Sequence, residues 1–202
     1  MTTDLTSAAA PSIDPEPGYY TPLAEQQRVL SAEDRLDITD LVFRFEWCFD
    51  RRDYVSLTDM FTEDVVIDHM WGYREGREAA LTLLREWEHA NAGLRHQGTN
   101  LVIWAEDADN ARAQSYLTGI VMSGPLTADS QAPALGRIVG HGLVTDRFRR
   151  CDDGLWRMTR RTIEQMYIDP EYLADEDARR WFALSAEQRR ATNPRPAGWD
   201  PR

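Results

Sequence analysis

The sequence contains no lysine, and all 23 of its basic residues are arginine. This absence excludes a Schiff-base lysine, a lysine general base and the lysine of a phosphate-binding loop. Acidic residues number 34, which gives a formal net charge of −11 at pH 7. Binding to nucleic acid or to an anionic membrane requires a basic surface. The charge therefore argues against both as partners.

Cysteine is scarce as well, and so are long apolar segments. Cys48 and Cys151 are the two cysteines, and neither lies in a C-x-x-C spacing, which argues against a disulfide framework. No apolar run approaches the ~20 residues that a bilayer span needs. The first residues lack the basic and apolar regions of a secretory signal. We therefore expect a cytoplasmic protein with one domain of substantial core.

The chain divides into three stretches of different character. Residues 1–30 combine an arm rich in Pro, Ser, Thr and Ala with a short helical piece, and the arm is typical of disorder. Residues 31–168 carry regular helix and strand patterns and predict the folded domain. Residues 169–202 begin with Asp-Pro, predict a helix over 172–184 and end in a Pro-rich tail.

Within the central stretch, the apolar periodicity predicts helices first and strands afterwards. Ser31 begins a capping-box pattern, and helical spacing then continues to about residue 50. A short helix over 53–61, a strand over 65–71, a turn at 72–76 and a helix over 77–90 are expected next. Further strands are expected near residues 95–106, 111–123, 136–150 and 155–168. This order predicts an α+β fold with helices covering one face of a curved, mainly antiparallel sheet.

Histidine provides the clearest candidates for chemistry. No pair of the four histidines has a metal-ligand spacing, so the sequence predicts no metal site. Asp50 closes the first helix at a position that can face inward, and His96 opens a strand. A carboxylate bonded to one imidazole nitrogen makes the other nitrogen an effective base. We therefore take Asp50 and His96 as candidate catalytic residues; the alternative is a helix-end Asp and a core His with other partners.

Three segments resemble the SnoaL-like branch of the nuclear-transport-factor-2-like superfamily, in the order that the family has them. Residues 49–54 read Phe-Asp-Arg-Arg-Asp-Tyr, and residues 96–100 read His-Gln-Gly-Thr-Asn. Residues 142–146 read Gly-x-Val-x-Asp and precede Asp-Gly-Leu-Trp at 153–156. The similarity covers roughly residues 31–168. It implies a cone-shaped α+β barrel that encloses one pocket.

The resemblance also implies an activity. The family includes scytalone dehydratase, hexachlorocyclohexane dehydrochlorinase and bile-acid 7α-dehydratase, whose catalytic Asp and His match Asp50 and His96. It thus implies a lyase, either a dehydratase or a dehydrohalogenase, that needs no cofactor. The small-molecule substrate is expected to be a mid-sized, apolar, cyclic compound.

Three further residues are candidates for substrate binding. His69 matches a substrate-polarising Tyr of the first of these enzymes, and Arg161 matches a pocket Arg of the second. Tyr116, in the middle of a strand, is the third candidate. The alternatives are a core histidine for His69 and a salt bridge to Asp146 for Arg161. The chain departs from its relatives at Phe49, at Val121 and in having no Lys, so the leaving-group machinery does not carry over.

Two other functions are compatible with the sequence. An isomerase or cyclase in the same pocket commonly moves its proton with a carboxylate, for which Asp68 is the candidate, although strand alternation places it opposite His69. A non-catalytic ligand-binding or assembly subunit is the other alternative. A homo-oligomer is expected, because strand residues on the convex face and Trp181 and Phe182 in the C-terminal helix would otherwise be exposed. The resemblance favours a trimer over a dimer.

Overall fold

The computed structural model describes residues 29–69, 72–86, 93–121 and 136–168. In these ranges the helices are α1 (Ala32–Arg51), α2 (Tyr54–Met60) and α3 (Arg77–Glu86). The strands are β1 (Phe61–His69), β2 (Gly72–Glu75), β3 (Leu94–Ala105), β4 (Asn110–Val121), β5 (Arg137–Arg150) and β6 (Trp156–Ile168). The expected N-terminal arm and C-terminal helix lie outside the described residues, as does the end of the third predicted helix.

The six strands form one curved sheet in the order β2-β1-β6-β5-β4-β3. All neighbours pair antiparallel except β1 and β6, which pair parallel. The sheet is therefore mixed and mostly antiparallel, and it stays open because β2 and β3 form its two edges. The predicted α+β class is confirmed, with an unclosed sheet in place of a complete barrel. The core lies between the helices and the sheet face that they cover.

Two boundaries differ from the sequence expectation. Strand β1 begins at Phe61, which caps the second helix in an extended conformation and pairs with Met158 of β6. The segment expected as a turn forms β2, which pairs with β1 from Gly72 onward. A Cβ at Gly72 would lie only 2.6 Å from a methyl carbon of Leu83, so α3 packs directly on the backbone there. Gly72, which indicated a turn in the sequence, is thus a strand residue whose missing side chain allows Leu83 to approach the backbone.

Asp34 anchors the start of α1 to the β5–β6 hairpin. It completes a capping box with Ser31, as predicted. Its Oδ1 also accepts hydrogen bonds from Trp156 Nε1 at 3.0 Å and from Arg150 at 2.6 Å. Burial acts to raise the pKa of Asp34, but the hydrogen bonds from Trp156, Arg150 and Ser31 outweigh it and hold the pKa well below its ordinary value.

The end of α1 is fixed by a tight backbone turn. Arg52 adopts a left-handed conformation with φ of 60°, and its N–H donates to the carbonyl of Phe49. The N–H of Asp53 donates to the carbonyl of Cys48 at 2.8 Å, and α2 begins directly afterwards. This turn places Asp50 in the last turn of α1, where the helix crosses the sheet.

Replacing Asp34 by Asn should lower the free energy of unfolding at pH 7 by about 2–3 kcal/mol, because hydrogen bonds to a charged group contribute about 1.5–3 kcal/mol. The folded-state pKa lies below the ordinary value of 3.8. The contribution is therefore complete above about pH 4 and is lost as the pH falls further. Urea unfolding of the wild type and D34N should show a difference at pH 7 that shrinks at pH 3.

Asp40→Asn is the matched control for this experiment, because Asp40 is an exposed acid of the same helix that pairs with Arg44. Exposed pairs of this kind contribute about 0.3–0.5 kcal/mol. An equal cost for D34N and D40N at pH 7 would contradict the anchoring role of Asp34.

Candidate functional site

A mostly apolar cavity lies between α1, α3 and the covered face of the sheet. It encloses about 30 Å³ in this structure, and about 470 Å³ of space not occupied by protein atoms when its opening to solvent is included. A wall of this kind with a few polar groups is typical of a small-molecule site. The apolar lining residues are Phe45, Phe49, Ile67, Leu83, Leu84, Leu117 and Ile163, and the polar ones are Glu46, His69, His96 and Arg161.

Asp50 and His96 are in direct contact at the wall of this cavity. Asp50 Oδ1 lies 2.7 Å from His96 Nδ1, and Asp50 Oδ2 accepts a hydrogen bond from the backbone N–H of His96 at 2.9 Å. The side chains are only 9% and 5% exposed, respectively. Because a carboxylate can only accept, Nδ1 carries the proton in this contact. Nε2 is then the basic nitrogen of the ring, and Asp50 does not engage it.

Neighbouring residues hold the imidazole in place. The ring of Phe49 lies against the His96 ring, with centroids 5.6 Å apart. In the β3–β4 ladder His96 pairs with Gly119, which has no side chain. The imidazole is thus confined on one side by an aromatic ring and is not crowded by its cross-strand partner.

His69 also lines the cavity, at the end of β1. It is 7% exposed, and Ile67, two residues earlier on the same strand face, lines the cavity too. Asp68 lies on the other face of the sheet, where a carboxylate oxygen is 3.7 Å from Arg160. The alternation expected for β1 is therefore observed. Asp68 does not reach the cavity, so the structure does not favour it as the proton shuttle of an isomerase there.

Arg161 is the buried cation of the cavity wall and is only 2% exposed. One terminal nitrogen lies 3.3 Å from Asp146 Oδ2, and the other donates to Glu46 Oε1. The guanidinium carbon lies 3.9 Å from the centre of the Phe45 ring. The salt bridge to Asp146, which was the alternative to substrate binding, is thus present. Arg160, the preceding residue, faces the opposite side of the sheet, where it lies near Asp68.

Glu46 is a cavity residue that the sequence reasoning missed. It is 4% exposed and lies on the buried side of α1, four residues after Val42 and four before Asp50. The signal was available, because a glutamate on the apolar stripe of a helix needs a buried partner. The partner, Arg161, lies 115 residues away in the chain.

Asp146 completes this buried cluster. Burial raises the pKa of Asp146 to about 7, the cation of Arg161 opposes that rise, and the charge of Glu46 adds to it. Two carboxylates thus share one guanidinium beside the cavity, so the cluster has no excess positive charge.

Tyr116 lies outside the cavity. Its side chain is on the face of β4 opposite Leu117, which lines the cavity, and the residue is 46% exposed. The ring instead packs near that of His141, with centroids 5.8 Å apart. This placement corrects the expectation that Tyr116 binds substrate in the pocket, since successive side chains of a strand point to opposite faces.

The described part of the chain has neither a metal-ligand cluster nor a helix suited to spanning a membrane. No three His, Cys, Asp or Glu side chains there form a group that could hold a metal ion. No helix of those residues combines the length and the apolar character that crossing a bilayer requires.

Solved structures show how widely this fold is shared. A cystatin-like-fold protein of unknown function from Nostoc punctiforme PCC 73102 matches with a TM-score of 0.57 and 28% identity, over 67% of this chain and 92% of that one. LinA matches with a TM-score of 0.55 and 22% identity, over 67% and 89%. A putative scytalone dehydratase from Novosphingobium aromaticivorans DSM 12444 matches with a TM-score of 0.52 and 18% identity, over 67% and 87%.

The sequence itself places the chain in a family. No curated protein matches the whole sequence closely enough to count as a relative. A family model described as a SnoaL-like domain matches residues 30–162, which span both α1 and most of the sheet. The chain therefore belongs to the SnoaL-like domain family.

Proposed function

We propose that the protein is a cofactor-independent lyase, either a dehydratase or a dehydrohalogenase, in which Asp50 and His96 act as a general-base pair. The observation that carries the proposal is the 2.7 Å contact between Asp50 and His96 Nδ1 at the wall of an apolar cavity. The fold shared with LinA and with a putative scytalone dehydratase supports it. The cavity's apolar lining fits a mid-sized, cyclic, apolar substrate.

In the proposed reaction His96 Nε2 takes a proton from a carbon next to a carbonyl or next to the carbon that bears the leaving group. The electron pair of that C–H bond forms a carbon–carbon double bond, and the leaving group departs with its own bonding pair. A departing hydroxide takes the abstracted proton from the His96 imidazolium and leaves as water. A halide leaves as the anion, and the imidazolium then releases its proton to solvent. Asp50 stabilises the imidazolium formed in this step.

His69 is the proposed polarising residue for the substrate. It lies on β1, at the opposite edge region of the sheet from His96 on β3, and both line the same cavity. A substrate between them would have its acidic C–H next to His96 and a carbonyl or leaving group next to His69. Arg161 is a weaker candidate for direct contact, because both of its terminal nitrogens already bind carboxylates.

The general-base role is tested with His96→Gln and Asp50→Asn. The assay offers cyclic β-hydroxy and β-halo ketones and follows the conjugated product by its ultraviolet absorbance. Exchange of the ring-ketone α-proton in D2O, measured by NMR, reports proton abstraction without a leaving group. H96Q should lower either rate by about 10²–10⁴-fold, the usual contribution of general acid–base catalysis, and D50N by about 10²-fold.

His141→Gln is the matched control, since His141 is an exposed histidine that does not line the cavity. H141Q should retain the wild-type rates, and circular dichroism should confirm that all three variants are folded. Wild-type rates in folded H96Q would refute the base role of His96, whereas a wild type with neither turnover nor exchange would favour a ligand-binding or assembly subunit. A product that retains the substrate's mass would indicate an isomerase or cyclase that uses the same base.

We further propose that the chain forms a homo-oligomer, with a trimer favoured over a dimer. Tyr116, Ile138 and Tyr167 lie on the uncovered face of the sheet and are 46%, 64% and 69% exposed. Large apolar side chains grouped on one face are typical of an interface. Light scattering should give two or three times the chain mass of 23.2 kDa. Ile138→Asp should lower that mass, while a wild-type mass of one chain would contradict the proposal.

A further inference from the structure

The strongest unexplained feature of the molecule is the pair of acids around Arg161. A buried arginine in the wall of a small cavity ordinarily indicates a carboxylate or phosphate ligand, because the guanidinium binds such groups with two parallel hydrogen bonds. Here Glu46 and Asp146 occupy the two terminal nitrogens. Nε–H has no hydrogen-bond partner in the described part of the chain, and each terminal nitrogen keeps a second hydrogen, so Arg161 still has donors. Its positive charge, however, is already balanced by two carboxylates.

The charge balance leads to the same conclusion. With both acids ionised, the cluster of Glu46, Asp146 and Arg161 carries one net negative charge, and with Asp146 protonated it is neutral. Asp50 does not line the cavity itself but adds another carboxylate next to it, bonded to the cavity residue His96. An entering anion would therefore find no uncompensated arginine and would lie close to carboxylates in an apolar surrounding, where repulsion is strong.

Stability alone does not account for this cluster. Well-packed apolar side chains in place of a buried ion pair or triad are often neutral or stabilising, because burying charges costs desolvation energy. Glu46 and Arg161 nevertheless line the cavity, and Asp146 on β5 is the cross-strand partner of Arg161 on β6. A charged cluster at this position affects whatever molecule enters the cavity.

We propose that Glu46 determines substrate charge: by neutralising Arg161 together with Asp146, it restricts the cavity to uncharged substrates and excludes carboxylates. This inference rests on the proposed function, whose substrate it specifies. In the proposed elimination, the substrate then carries a carbonyl, hydroxyl or halide and no acidic group. Glu46 is a specificity-determining residue here and takes no part in the proton transfer.

The test compares benzamide with benzoate, which have nearly the same size and shape but differ in charge. Ligand-observed NMR titrations give the dissociation constants of both for the wild type and for Glu46→Gln, which keeps an oxygen acceptor for Arg161. The wild type should prefer benzamide. In E46Q the ratio of the two constants should shift toward benzoate by roughly tenfold or more, since a like charge across a binding contact costs several kcal/mol.

Glu86→Gln is the matched control, because it removes the same charge from an exposed residue of α3 that does not line the cavity. E86Q should leave the ratio within about twofold of the wild type, as expected for a screened surface charge. Asp146→Asn is the second variant in case E46Q does not fold, and it should shift the ratio in the same direction. A thermal unfolding curve establishes which variants are folded.

The inference is overturned if the wild type binds benzoate as well as benzamide, or if folded E46Q and D146N keep the wild-type ratio. It is also overturned if neither probe binds any of the folded proteins, because the cavity would then not accept a single ring. These titrations need no turnover. If the wild type prefers benzamide and E46Q shifts the ratio but no turnover is found, only the lyase proposal is refuted. If the wild type turns over a substrate and H96Q does not, but E46Q keeps the wild-type binding ratio, only this inference is refuted.

Discussion

Three buried carboxylates of α1, each bonded to the sheet, set the position of that helix. Asp34 at its start binds Trp156 and Arg150 of the β5–β6 hairpin. Glu46, three turns later, binds Arg161 of β6, and Asp50 at the end binds His96 of β3. A helix that made only apolar contacts could shift along the sheet at modest cost. Ionic hydrogen bonds at three points along the axis specify one register between helix and sheet.

This arrangement makes the fold and the candidate site depend on the same contacts. Each carboxylate loses its hydration on burial, and hydrogen bonds from its partner must compensate for that loss. A misplaced helix would therefore leave unpaired charges in the core. The contact between Asp50 and His96 therefore does not rely on local geometry alone. It is positioned by the tight turn at Arg52 on one side and by Glu46, one helical turn earlier, on the other.

The sequence predicted those features that local pattern or family motif encodes. The helix start at Ser31, the antiparallel strands and the neighbourhood of Asp50 and His96 belong to this group. Glu46 was missed because its partner, Arg161, is remote in sequence and only the assembled sheet brings them together. Tyr116 was misplaced although alternation was informative, because it shares its face of β4 with the polar residues Asn110, Arg112 and Gln114, whereas Ala111, Ala113 and Leu117 lie on the covered face.

The charges around the cavity also constrain the course of an elimination with His96 as base. In the proposed elimination the Asp50 carboxylate, which is bonded to His96 Nδ1, would stabilise the imidazolium that forms. Asp50 and the acids around Arg161 would also oppose a negative charge that accumulates on the substrate carbon. Loss of the leaving group together with the proton avoids such a carbanion, and His69, which lines the cavity, is the residue proposed to assist that departure. The electrostatics therefore favour a concerted path over a stepwise one through a free carbanion.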